Sequence, residues 1–178
     1  MKREREEVES EDVEEKERLV LKEFYSACKK GHVDRVRNFC SNGIDVDFKE
    51  EKYRRTGLHV ATENGHVDVV KVLLEYDADV DAGDKFGAPA LHKATGYKVG
   101  HVDIVKVLLE YGADVDAVDN RRQTALHEAT GEFGHVDVVK VLIENGADVN
   151  AVTKDKSTAL HIAVRNGHVD VTKVLIQN

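Results

Sequence analysis

The chain contains no tryptophan, one proline and two cysteines, and only ten of its 178 residues are phenylalanine or tyrosine. That scarcity excludes a large aromatic-packed core. The apolar share is mostly Val, Leu, Ala and Ile, which suits many small packing layers. Two cysteines, Cys28 and Cys40, cannot build a disulfide framework, and no CxxC pair exists. The expected compartment is reducing, hence intracellular, cytoplasmic or nuclear. The opening MKREREEVESEDVEEKER has no apolar core of a signal peptide, and no run approaches the ~18 apolar residues of a membrane span. Positive charge is short as well: 26 Lys and Arg face 34 Asp and Glu, a net −8. That balance speaks against bulk nucleic-acid binding and against anionic membranes, which need a basic surface.

What the chain does have is repetition. GHVD occurs five times, with its histidines at His32, His66, His101, His135 and His168. A second string, LH, recurs at His59, His92, His127 and His161, and the two series account for all nine histidines. The GHVD spacings are 34, 35, 34 and 33 residues. Variation in the shorter intervals places small insertions in 47–55, 94–100 and 129–134. A period of this length marks a stacked array rather than a single closed core.

Each unit reads as two short helices and a turn. In VDVVKVLLE, Val67, Val70, Leu73 and Leu74 fall at helical spacing. Asp68, Asp103, Asp137 and Asp170 sit in the first turn, where the helix dipole favours an anion. Gly43, Gly112 and Gly146 follow the last turn as left-handed caps, with Asp77 in their place once. The other helix starts at Thr56, Thr124 or Thr158, good N-caps, whereas Pro89 brings no hydroxyl.

These residues resemble the ankyrin-repeat family. The match rests on T56-G-L-H59, T124-A-L-H127 and T158-A-L-H161, each with its NGHVDVVKVLLE-type segment, over roughly residues 20–178. The resemblance implies an all-α solenoid of about five units, 19–47, 48–81, 82–116, 117–150 and 151–178, with β-turn fingers between them. It also implies that residues 19–47 form a capping unit, preceded by a charged extension, 1–18, read as partly helical.

Zinc needs three or four converging ligands, and each His-Val-Asp lies on a different unit, so no metal and no cofactor is expected. No GxSxG elbow, Walker loop or motif-placed Cys-His pair is present, so no catalytic residue and no enzyme is read. Cys28 and Cys40 fit apolar packing in the capping unit.

The resemblance places recognition on the fingers and on the first helix of each unit. The fingers 48–55, 84–88, 119–123 and 153–157 carry +2, 0, +1 and +1, whereas residues 1–18 carry −4, leaving −8 on the repeat body. Basic fingers on an acidic array steer an acidic partner to the finger edge. The candidate contact residues are Tyr53, Arg54, Arg55, Lys85, Phe86, Arg121, Arg122, Gln123, Lys154 and Lys156 on the fingers. Tyr97 and Phe133 sit in the inserted turns, with Lys93, Glu128 and Arg165 between the two edges. Aromatics beside arginine are typical of hot-spot surfaces.

The expected function is therefore a non-catalytic module that binds a protein segment of acidic or acidic-hydrophobic character. Two alternatives stay open: a sensor of a small anionic ligand such as an oligonucleotide, and a designed or consensus-like scaffold without a native partner. Against the first, ankyrin domains that bind an oligoadenylate use Trp, Lys and Phe where this chain holds Arg55, Asp84 and Gln123. The family resemblance also makes Asn150 a candidate for hydroxylation. No polar cap follows Val174, Leu175 and Ile176, so end-to-end self-association or further sequence is expected there.

Overall fold

The computed structural model describes the backbone of residues 2–96 and 100–178, and side chains from residue 15 onward within those ranges. Ten helices and no strand occur among the described residues. They are α1 (Lys2–Lys30), α2 (Val33–Ser41), α3 (Gly57–Glu63), α4 (Val67–Glu75) and α5 (Ala90–Thr95), then α6 (Val102–Glu110), α7 (Ala125–Ala129), α8 (Val136–Glu144), α9 (Ala159–Arg165) and α10 (Val169–Ile176). The odd-numbered helices pack side by side as an inner layer, and the even-numbered ones as an outer layer. Helices of five to nine residues are too short to persist alone in water, so each depends on its neighbours.

The core follows the repeat. In α4, Val69, Val70, Val72, Leu73 and Leu74 are buried, and Ile104, Val105, Val107 and Leu108 repeat the pattern in α6. The left-handed caps stand where the spacing predicts them, at Gly43, Gly112, Gly146 and Asp77, the last with φ 60°. In the capping unit Phe24 meets Phe39 edge-on at 6.0 Å, and both cysteines are buried. Burial pushes the Cys28 thiol up to about 12, which leaves it inert as a nucleophile.

Helix α1 runs unbroken from the charged extension into the cap. At ~1.5 Å per residue it is about 43 Å long, yet among the described side chains residues 15–20 are exposed and the first buried one is Phe24. An Arg18–Glu51 ion pair links it to the first finger.

Two histidine series join the units. In each T-x-x-H, the histidine Nδ1 accepts the backbone N–H of the capping threonine, at 3.2 Å for Thr56, Thr124 and Thr158 alike. The opposite nitrogen then carries the proton and donates to the next finger: His59 to Ala88 O at 3.0 Å, His92 to Gln123 O at 2.9 Å, and His127 to Ser157 O at 3.2 Å, shared with Ala151 O at 3.1 Å just before that finger. Burial keeps these rings neutral; it pushes His59 down to about 4 and lowers His92 and His127 as well. Pro89 has neither hydroxyl nor N–H, and the consequence is visible, since His92 Nδ1 is buried without a partner.

The GH histidines reach backward. His66 donates to Lys29 O at 3.0 Å and His168 to Gly131 O at 2.7 Å. Their rings lie over the glycines of the preceding unit, so a Cβ on Gly31 or Gly65 would come within 2.7 Å of His66 or His101. Below the fingers, an aspartate ladder runs in parallel. Asp47, Asp81 and Asp116 accept the N–H of Asp79, Asp114 and Asp148 at 2.9–3.1 Å.

Candidate partner-binding groove

The fingers are held together by their own backbone. Lys85 N–H donates to Tyr53 O at 2.9 Å, Asn120 N–H to Phe86 O at 2.8 Å, and Lys154 N–H to Arg121 O at 2.9 Å. This register lines up the same finger position in successive units and sets the side chains into adjacent rows.

Each finger turn needs one left-handed residue. Gly87 supplies it once, with φ 75°, and Arg54, Arg122 and Lys156 supply it elsewhere, with φ of 53°, 58° and 60°. A side chain there costs on the order of 1 kcal/mol relative to glycine. The three cations point outward from the turns and line none of the grooves described below.

Around Tyr53 the cations converge. Lys85 Nζ stands 4.1 Å from the ring centroid, Lys52 Nζ 4.8 Å and Arg55 Cζ 4.9 Å, and Lys85 also lies 4.9 Å from the Phe86 ring. The Lys52 hydrogen bond and the neighbouring positive charges lower the Tyr53 phenol below its ordinary value. Arg55 serves two purposes, because its Nη1 donates to Glu63 Oε2 at 2.7 Å. That ion pair anchors the first finger to the end of α3.

Between the second and third fingers lies a groove of about 400 Å³ whose lining includes Phe86, Lys93, Arg121, Gln123 and Glu128. A neighbouring cleft of about 290 Å³ is lined by Tyr53, Arg55, Asp84, Phe86 and Lys93. Lys93 Nζ bonds Asp84 Oδ2 at 2.9 Å, and that carboxylate also accepts from Phe86 N–H at 2.8 Å and Ala88 N–H at 3.1 Å. Burial alone would raise Asp84; Lys93 and the two backbone donors outweigh it and hold the carboxyl below the ordinary range. Glu128 is raised, first by burial and then by Asp119, with Lys93 and Arg121 pulling the other way.

The structure thus brings Tyr53, Arg55, Phe86, Lys93, Arg121, Gln123 and Glu128 onto one continuous face. Lys85 stands on its edge. Arg54, Arg122, Lys154, Lys156 and Arg165 are exposed but line none of these clefts. Phe133 stacks on His135 at 5.9 Å instead of projecting freely, and Phe48 is half-buried. Tyr97 lies outside the described residues. The sequence reading missed Lys52, Glu63 and Asp84, which either complete the cation cluster or neutralise its members. Lys52 could have been found from its place one residue before Tyr53. Asn150, exposed, occupies the ladder position of Asp116, and its N–H donates to Asp148 Oδ1 at 2.9 Å. Among the described residues no three His, Cys, Asp or Glu side chains are grouped to hold a metal, and no helix is long and apolar enough to cross a membrane.

Comparison with known proteins agrees with this architecture. A family model for ankyrin repeats (3 copies) matches residues 24–119 and 76–153, and one for ankyrin repeats (many copies) matches residues 131–176. Palmitoyltransferase AKR1 of Lachancea kluyveri is 34% identical over 98 residues, which is 53% of this chain and 13% of that protein. Protein HOS4 of Saccharomyces cerevisiae is 46% identical over 82 residues, 46% of this chain and 8% of that protein. The chain therefore spans only a small part of the length of these relatives. On the family-model matches, which run from residue 24 to residue 176, this chain belongs to the ankyrin-repeat family.

Proposed function

We propose that the array is a non-catalytic protein-interaction module whose partner is an acidic or acidic-hydrophobic segment laid along the finger edge. Ankyrin repeats are generally protein-interaction modules. The observation that carries the finer reading is the cluster of Lys52, Arg55 and Lys85 around Tyr53, beside the 53% exposed Phe86. Rigid aromatics flanked by cations contribute strongly to interfaces with acidic segments. Two free, buried thiols fit an intracellular setting.

The test is capture from a lysate with the wild-type array and with a Lys52→Glu/Lys85→Glu variant. Both substitutions are on finger surfaces, so the thermal transition should stay where it is, while capture falls by an order of magnitude or more. Equal capture by both baits would remove the finger edge as the binding surface.

A small anionic ligand such as an oligonucleotide is less well served, because Asp84, Asp119 and Glu128 bring carboxylates to the same face. The terminal unit supports a separate association between copies. Val164, Val169 and Ile176 are 60%, 64% and 69% exposed there, and light scattering that shows a strict monomer at all concentrations would exclude it. Hydroxylation of the exposed Asn150 is checked by intact mass after incubation with an asparaginyl hydroxylase; an unchanged mass rejects it.

A further inference from the structure

The groove between the second and third fingers differs in charge from the finger edge beside it. Arg55 is matched by Glu63 at 2.7 Å, and Lys93 by Asp84 at 2.9 Å. Among the described residues, what remains is Arg121 on the rim and two carboxylates, Asp119 and Glu128, a surplus of one negative charge. Asp119 Oδ1 accepts the N–H of Arg121 and of Gln123, each at 2.8 Å. Among the described residues, the Glu128 carboxylate has neither an ion pair nor a hydrogen-bond partner, its backbone alone being bonded. It rises from α7 against Gly96, close enough that a Cβ there would lie 3.0 Å from Oε2. Phe86 lines the same groove and is about half exposed.

A half-buried carboxylate without a donor, facing the same groove as an exposed ring, suits one kind of visitor. An ammonium or guanidinium donates charge-assisted hydrogen bonds to the oxygens, while its stem or plane covers the ring. We infer that Glu128 and Phe86 form a seat for a lysine or arginine side chain of the partner segment. The inference rests on the partner-segment reading above and adds direction to it. The binding face then has two poles: Lys52, Tyr53 and Lys85 take an acidic residue, and the Glu128 groove takes a basic one.

The poles are one to two repeats apart, with Lys52 and Tyr53 in the unit 48–81, Lys85 in 82–116 and Glu128 in 117–150. Packed helices stand ~10 Å apart, and extended chain advances ~3.3 Å per residue. The acidic and basic residues of the partner therefore sit about three to six positions apart, in a single order along the segment. Burial and the nearby Asp119 disfavour the charged form of Glu128 in the empty groove, against the pull of Lys93 and Arg121. A cation brought by the partner offsets that cost.

The experiment is selection from a random-peptide display library on the full chain, in parallel on wild type, Glu128→Gln and Lys52→Glu/Lys85→Glu. Glu128→Gln keeps the shape and removes the charge, so its thermal transition should not fall below wild type. The expected result on wild type is enrichment of an acidic residue with Lys or Arg about three to six positions away. On Glu128→Gln the acidic preference persists and the basic one disappears. A synthetic peptide from the wild-type selection should lose on the order of tenfold in affinity for wild type when its basic residue becomes glutamine, and that same peptide change should matter little for binding to Glu128→Gln. If acidic peptides are enriched with no basic preference, or with one that Glu128→Gln leaves intact, the cation seat is wrong while the module stands. If nothing is enriched, or the acidic preference survives Lys52→Glu/Lys85→Glu, the partner-segment reading falls and this inference with it.

Discussion

The internal units and the last unit carry the same motif and make different use of it. His59 caps its own helix and donates to Ala88 O of the next finger, and it is 1% exposed. His161 repeats the first half, with Thr158 N–H at 3.2 Å from Nδ1, but among the described residues no carbonyl accepts from its other nitrogen, and it is exposed. Gly65 lies under His101, whereas a Cβ on Gly167 would meet nothing within 4 Å. Identical local sequence thus carries different energetic weight according to whether a neighbour is present. In a repeat array, stability resides largely in the interfaces.

Acid should expose this difference most. The unfolded chain takes up protons on histidine near pH ~6.5, while burial delays His59 to about pH 4 and also lowers His92, His101 and His127. The contribution is therefore fully present above pH ~6.5 and is lost as pH falls through the window towards 4. For His59 alone it is roughly 3 kcal/mol. Urea midpoints measured across that window should fall steeply; a flat profile would mean that the histidines are not buried neutral.

Substitution breaks the comparison directly. His59→Ala leaves Thr56 N–H unpaired beside a cavity and takes from Ala88 O one of its two donors, Asp84 N–H at 3.1 Å remaining, and should cost about 3 kcal/mol. His161→Ala should cost less than about 1 kcal/mol. Equal losses in chemical denaturation would show that the cap alone, not the bridge to the next finger, carries the energy.

Gly65 and Gly167 form a matched pair, with φ of 74° and 76°. Alanine strains both by about 1 kcal/mol, but only Gly65→Ala must also displace a histidine ring, for a total of roughly 2 kcal/mol or more. Thermal unfolding of the two variants should differ accordingly. The smallest effect is a gain. Pro89→Thr supplies the donor that His92 Nδ1 lacks, worth ~1 kcal/mol, less the ~0.5 kcal/mol of backbone entropy that proline removes from the unfolded chain. A loss of stability instead would mean that the nitrogen is already hydrated.

Much of this organisation is legible in the chain itself. The threonine caps and the left-handed Asp77 follow from local rules that apply residue by residue. The cations in left-handed finger turns could have been found by aligning Arg54, Arg122 and Lys156 with Gly87. The face was harder to read. Arg55 counts as a free positive charge in the sequence, yet it is tied to Glu63, and Lys93 is tied to Asp84. Such pairs join unlike residues of different elements, and no periodicity announces them.

By itself the sequence determined the array, its five-unit register and the positions of helix ends, because each depends on spacing and on the intrinsic preferences of single residues. Only the tertiary structure decided which charges are neutralised, which histidines are buried, and that Glu128 stands unpaired beside Phe86. Those outcomes depend on distances between side chains of neighbouring units, and Coulomb and desolvation energies are set by that separation and burial, not by order along the chain.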